Sequence, residues 1–154
     1  ADPLALQIAL NAWDVFELLG SPESELTLAQ AVIYMACAPK SNAVYVAFNQ
    51  ARQLVANAPA YDVPMHIRNA PTNLMKDLGY GVDYRYAHDF PDAFVPGDSY
   101  FPPELHEKLH GACFYQPSSR GLEQKIGDKL AHLAQLNQNS GWQRYPVQGK
   151  GGKK

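Results

Sequence analysis

Five consecutive residues, His106-Glu107-Lys108-Leu109-His110, carry the H-E-x-x-H spacing. On a helix that spacing sets two imidazoles one turn apart, able to hold zinc while the glutamate works as a general base. The flanks weaken the case. Pro102-Pro103 and Gly111 bracket the segment, so a helix there has room for about two turns, whereas the chemistry needs a rigid helix facing the other half of a cleft. The extended form of the motif would put a glycine at position 113 and a histidine at 116, where this chain has Cys113 and Gln116. Glu123 is a conceivable further ligand but lacks a convincing helical context. The segment is therefore read as a solvated amphipathic turn, and no metal ligand is assigned.

A second candidate is the aromatic and basic run Tyr80, Tyr84, Arg85, Tyr86, His88 and Phe90, with Phe94, Tyr100 and Phe101 after it. Such rings could stack unpaired bases while Arg85 meets a phosphate. The interleaved Asp83, Asp89 and Asp92 would repel a phosphate backbone, which favours rings that peg an irregular loop onto helices. Lys40, Arg68, Lys76 and Arg120 stand at helix starts or in turns. With Arg85 they are the candidate contacts to a partner or to DNA, although a lone solvated cation is the ordinary role of each. His66, beside Arg68, reads as a buried or half-buried hydrogen-bonding histidine, because no nucleophile lies at a motif-like spacing from it. Asp128 and His132, one turn apart, read as a surface pair. The chain has no G-x-x-x-x-G-K-[ST] loop and no G-x-S-x-G elbow. We therefore assign no catalytic residue and no cofactor, and expect no ATP hydrolysis from this polypeptide alone.

Helices must position these residues. Asp2-Pro3 is a good start for a helix to about Leu19. Its polar stripe Gln7, Asn11, Asp14 and Glu17 leaves Leu6, Ile8, Leu10, Trp13, Phe16 and Leu19 over most of the circumference. A second helix spans about Glu23 to Ala38, with Gln30 the one clearly polar residue after Leu28. Both are apolar over more surface than one neighbour covers, so Leu6, Leu10, Trp13, Phe16 and Tyr34 are candidate interface residues. After Pro39, Ser41 or Asn42 can cap a third helix with the inward stripe Ala43, Ala47, Ala51, Leu54 and Ala58. Pro71-Thr72 opens a short helix that stops at Gly79. An irregular stretch rich in proline and aromatics follows, from about 79 to 117. Ser118 or Ser119 then caps a last helix through about Leu136, with Leu122, Ile126, Leu130, Leu133 and Leu136 inward. Three consecutive helices and no strand-rich block imply an all-α bundle or collar.

The 154 residues are 46% hydrophobic and 18% charged, with a net charge of −2, values that suit one globular domain. No apolar run approaches the ~20 residues of a membrane span. The opening Ala1-Asp2-Pro3 is expected to be an excised or processed start. Cys37, inside AVIYMACA, reads as a small buried hydrophobe, and two cysteines make no disulfide framework, which favours a reducing cytosol. Charge is uneven: residues 1–39 contain Asp2, Asp14, Glu17, Glu23 and Glu25 but no Lys or Arg, while cations predominate from Lys108 onward. That asymmetry favours complementary docking and falls short of a basic nucleic-acid footprint.

Three blocks, APKSNAVY at Ala38–Tyr45, VPMHIRNAPTNLMKDLGYGVDYRYAHDFP at Val63–Pro91 and RGLEQKIG at Arg120–Gly127, resemble the C-terminal domain of the RarA/MgsA replication-associated recombination AAA+ ATPases. These are relatives of the Werner-helicase-interacting protein. The resemblance runs with few gaps from Asp2 to about Tyr145. It implies an all-α, collar-like domain over residues 1–146, similar to clamp-loader C-terminal domains, followed by a flexible basic tail at 147–154. It further implies homotetramers, and a parent protein acting at stalled replication forks in the bacterial cytoplasm, associated with the nucleoid. In that parent an N-terminal module would bind ATP and magnesium, and the partners would be DNA and the single-strand-binding protein. An alternative reading makes the 63–101 surface a module that binds DNA ends or a replication protein.

Overall fold

The computed structural model describes residues 1–109 and 113–146, and all regular structure among them is helical. Six α-helices follow in order: α1 (Leu4–Leu19), α2 (Glu25–Cys37), α3 (Ala43–Asn57), α4 (Asn73–Asp77), α5 (Pro103–Leu109) and α6 (Leu122–Asn139). Single 3-10 turns lie at Met65–Ile67, Ala87–Asp89 and Pro91–Ala93. The chain divides into two compact units, Ala1–Ala51 with Phe114–Lys129, and Arg52–Cys113 with the chain from Leu130 onward. The tail expected at 147–154 lies outside the described residues, as does His110.

In the first unit, Asp2 does two jobs. Its Oδ1 accepts the Leu4 N–H at 3.0 Å, satisfying a donor that the start of α1 would otherwise leave bare, and its Oδ2 accepts the Tyr34 hydroxyl of α2 at 2.6 Å. The two helices pair, with Ala12 and Ala31 buried and Ile8, Val15 and Leu28 half-buried. The turn between them is held by Ser24, whose fully buried side chain donates to the Gly20 carbonyl at 2.6 Å. That turn consumes residues the periodicity had given to the helix, so α2 starts at Glu25 rather than Glu23. Cys37 corrects an expectation. It is exposed, because a run that is apolar on every side does not say which side packs.

Ser41 caps α3 as its residue type predicts, accepting the Ala43 N–H at 3.1 Å, and Ala43, Ala47, Ala51, Leu54 and Ala58 are half-buried in the expected stripe. The last helix begins later than expected, at Leu122. Gly121 sits at φ +52, and a Cβ there would stand 3.0 Å from the Pro39 ring, so this left-handed residue, pressed on Pro39, marks the boundary. Ile126, Leu130, Leu133 and Leu136 are shielded as predicted, but Leu122 is exposed and Glu123 is buried in its place.

In the second unit, Thr72 Oγ1 accepts the Met75 N–H at 3.3 Å and starts α4. The stretch expected to be irregular contains α5. Pro102 O accepts the N–H groups of Leu105 and His106 at 3.0 and 2.8 Å, and Pro103 presets φ in the first turn. His132 bonds Asp92 at 3.0 Å rather than its helical neighbour Asp128. Around Gly97 the chain is sewn together: its N–H donates to Asn137 Oδ1 at 2.8 Å and its carbonyl accepts Arg144 N at 2.9 Å. Gly97 has φ +82, and an added Cβ would lie 1.9 Å from the Trp142 carbonyl oxygen. Gly97→Ala is expected to lower stability by ~3 kcal/mol, combining left-handed strain with backbone overlap, read as a lower midpoint in urea unfolding followed by circular dichroism.

Candidate functional site

Two of the sequence blocks converge on one carboxylate. Glu123, 4% exposed, accepts the Ser41 hydroxyl at 2.8 Å and the Ser118 N–H at 2.8 Å, and also bonds the Ser118 and Tyr115 hydroxyls. Because Ser41 caps α3 and Glu123 lies in the first turn of α6, the positive ends of two helices share one anion. The Ser118 hydroxyl and N–H, then Ser41, hold the Glu123 carboxyl down at about 2, against an ordinary 4.5. Lys40 and Arg120 are brought together beside this node. Lys40 Nζ donates to the α2 carbonyls of Met35 and Ala36 and to Ala38, the last at 3.1 Å, and Arg120 Nη1 donates to Lys40 O at 3.2 Å. Both cations line a 490 Å³ cavity with Asn42, Val46, Phe114 and Ser118. Lys40 neutralises the C-terminal end of α2, and Arg120 ties the chain before α6 to the Lys40 backbone.

The outer side of α1 and α2 is the other marked feature of this unit. Leu6 is 69% exposed, Trp13 60% and Ile33 65%. Leu10, Leu18, Leu26 and Val32 are exposed beside them. Phe16 stands at the border, and Tyr34 is half-buried with its hydroxyl committed to Asp2. Four of the five candidate interface residues thus lie on one exposed helix, and the fifth ties α2 to the chain start.

Arg68, Lys76 and Arg85 lie in the second unit. Lys76 is exposed on α4. Arg68 donates to Val63 O at 2.6 Å and lies 5.3 Å from the Tyr80 ring. Arg85 packs over Phe90 at 4.7 Å and Trp142 at 4.1 Å, a cation–ring contact that holds its guanidinium against the loop. Sequence reasoning missed Asp98 and Arg144. The Arg144 Nε and Nη2 donate to the two Asp98 oxygens at 2.8 and 3.2 Å, and Ser99 N adds a third bond at 2.8 Å. Burial raises the Asp98 carboxyl, but these donors outweigh it and leave it below the usual range. No local spacing could reveal a pair 46 residues apart. His66 is buried, as expected, yet its Nε2 has no hydrogen-bond partner. Its pKa is lowered by burial first and by Arg144 second, against the pull of Asp98.

His106 of the H-E-x-x-H segment is turned inward. Its Nδ1 shares a 2.8 Å hydrogen bond with the Ser99 hydroxyl, and its ring centroid lies 5.1 Å from that of Tyr145. Among the described residues no three His, Cys, Asp or Glu side chains are grouped to hold a metal. No described helix is long and apolar enough to cross a membrane.

The described residues form an all-α domain whose first two helices expose many large apolar side chains. Residues 1–134 match the family model described as MgsA AAA+ ATPase C terminal, and the chain belongs to that family. It is 54% identical over 145 residues to replication-associated recombination protein A of Escherichia coli K12, covering 94% of this chain and 32% of that protein. The Haemophilus influenzae protein of the same name is 53% identical over 145 residues, again 94% of this chain and 32% of the relative. That of Coxiella burnetii is 56% identical over 138 residues, 90% and 30% respectively. The chain therefore spans about a third of the length of these three relatives.

The Glu123 node has a pH signature. A carboxyl held at about 2 in the folded chain and titrating near 4.5 when unfolded contributes stability that is complete above 4.5 and lost as pH falls toward 2. Glu123→Gln is expected to lower the thermal midpoint at pH 7 and to flatten its decline between pH 5 and pH 2. Calorimetry across that range checks both.

Proposed function

We propose that this chain is the self-association domain of an AAA+ ATPase that acts in replication-associated recombination and fork maintenance. Copies would join through the outer side of α1 and α2, assembling a homotetramer that sets the arrangement of the ATPase modules. The observation carrying this reading is the exposure of Leu6, Leu10, Trp13, Leu18, Leu26, Val32 and Ile33 on two adjacent helices, more large apolar side chains than a self-contained helix pair ordinarily shows to water. The names of the relatives supply the process. ATP and magnesium belong in this proposal to the rest of the parent protein, with DNA as the polymer it acts on and the bacterial cytoplasm as its place.

Each leucine withdrawn from water contributes about 1.5–3 kcal/mol. Replacing Leu6 and Leu10 with glutamate should therefore weaken association by roughly a hundredfold or more, while leaving helix content unchanged because both are already exposed in the single chain. Sedimentation equilibrium at micromolar concentration is expected to give about four times the chain mass for the parent sequence and one chain mass for the double variant. A strictly monomeric parent sequence would sink the proposal.

A further inference from the structure

The second unit contains a cavity of about 840 Å³, the size of a site that encloses a ligand or a partner's side chains. Pro64, Pro102 and Pro103 wall it with the rings of Tyr61 and Tyr145. Its charges are unequally satisfied. Arg144 is committed to Asp98 and donates to the Asp83 carbonyl at 2.9 Å, and Arg68 is spent on Val63 O and lies 3.7 Å from the Asp62 carboxylate. Asp83 and Glu104, both exposed on the lining, make no salt bridge among the described residues, although Asp83 lies in the field of Arg144 and Glu104 in that of Lys108. Lys108, one turn from Glu104, donates to the Tyr61 hydroxyl at 3.0 Å instead.

The lining includes a buried acceptor as well. His66 is 6% exposed, and its ring hydrogen-bonds the Ser99 backbone, so in the neutral ring the other nitrogen, Nε2, presents a lone pair. That nitrogen has no hydrogen-bond partner and faces another acceptor, Asp98 Oδ1, at 3.9 Å. The cavity thus combines two exposed carboxylates that make no salt bridge with two tyrosine rings, groups that attract a multi-donor cation, and the buried His66 ring in its wall senses charge placed there. We propose that it is a docking site for a segment of a protein partner that presents an arginine or lysine next to an apolar residue. The cation would lie against Asp83, Glu104 and the tyrosine rings, with the apolar neighbour on the prolines. A nucleic-acid backbone is the wrong partner, since its phosphates would meet Asp62, Asp83 and Glu104.

This inference involves a different surface from self-association and stands or falls separately. The test uses the full chain and two capped tripeptides, Leu-Arg-Leu and Leu-Glu-Leu, followed by amide and imidazole NMR. The basic tripeptide is expected to shift the amides of Tyr61, Val63 and Glu104. It should also lower the titration midpoint of His66, because a cation beside the ring opposes its protonation. Asp83→Asn with Glu104→Gln, two exposed and volume-conserving changes, should weaken that binding by roughly tenfold while leaving the free spectrum folded. Preferential binding of the acidic tripeptide with a rise in the His66 midpoint would overturn the proposal. So would a single-stranded oligonucleotide acting at the same amides, or no response to the basic tripeptide at millimolar concentration.

Discussion

The first unit depends on taking one carboxylate out of water and surrounding it with donors. An unpaired buried anion would be costly, and Glu123 avoids that cost because Ser118 and Tyr115 precede α6 in the chain while Ser41 precedes α3. The same bonds that satisfy the anion fix where two helices begin. Around this point Gly121 is pressed on Pro39 and Arg120 reaches Lys40 O, so the segments 38–45 and 120–127 form one locally determined structure. The second unit solves a similar problem differently. There Asp98 takes a two-pronged guanidinium from Arg144, a geometry that fixes direction as well as charge. The same arginine also approaches Trp142, 4.8 Å from the ring centre.

The pairing of α1 with α2 explains why so much apolar surface is left over. Ala12 and Ala31 are the buried residues of these helices, with Ile8, Val15 and Leu28 half-buried, so few large side chains are taken from water. The large side chains Leu6, Leu10, Trp13, Leu18 and Ile33 are then displaced to the outside. Leaving so many large apolar side chains in water is the reverse of what a self-contained two-helix pair would choose.

Much of the fold was legible because helices announce themselves by period and caps. Asp2, Ser41 and Thr72 each accept a backbone N–H at a helix start, and the alanine stripe of α3 packs as its spacing requires. Failures came where tertiary geometry overrode local preference. Ser118 looked like the start of the last helix, but Gly121 needed a left-handed backbone against Pro39. Leu122 fitted the apolar stripe, yet the adjacent Glu123 was buried by donors that no period encodes. Cys37 lay in a run with no polar side to orient it. Of the candidate cations, Lys40 and Arg120 were joined, whereas Arg85 was absorbed between rings. The centre of the second unit was invisible in the sequence because Asp98 and Arg144 carry no motif and meet only after the intervening chain has folded.

The two tryptophans occupy opposite settings, one in each unit. Trp13 is largely open to solvent on α1, while Trp142 is half-buried beside the guanidinium groups of Arg85 and Arg144. An indole in water emits at longer wavelength than one shielded from it, so the chain carries two intrinsic optical reporters of different colour. Covering α1 would shift the Trp13 emission to the blue without altering the light from Trp142, and loosening the ring stack would do the reverse.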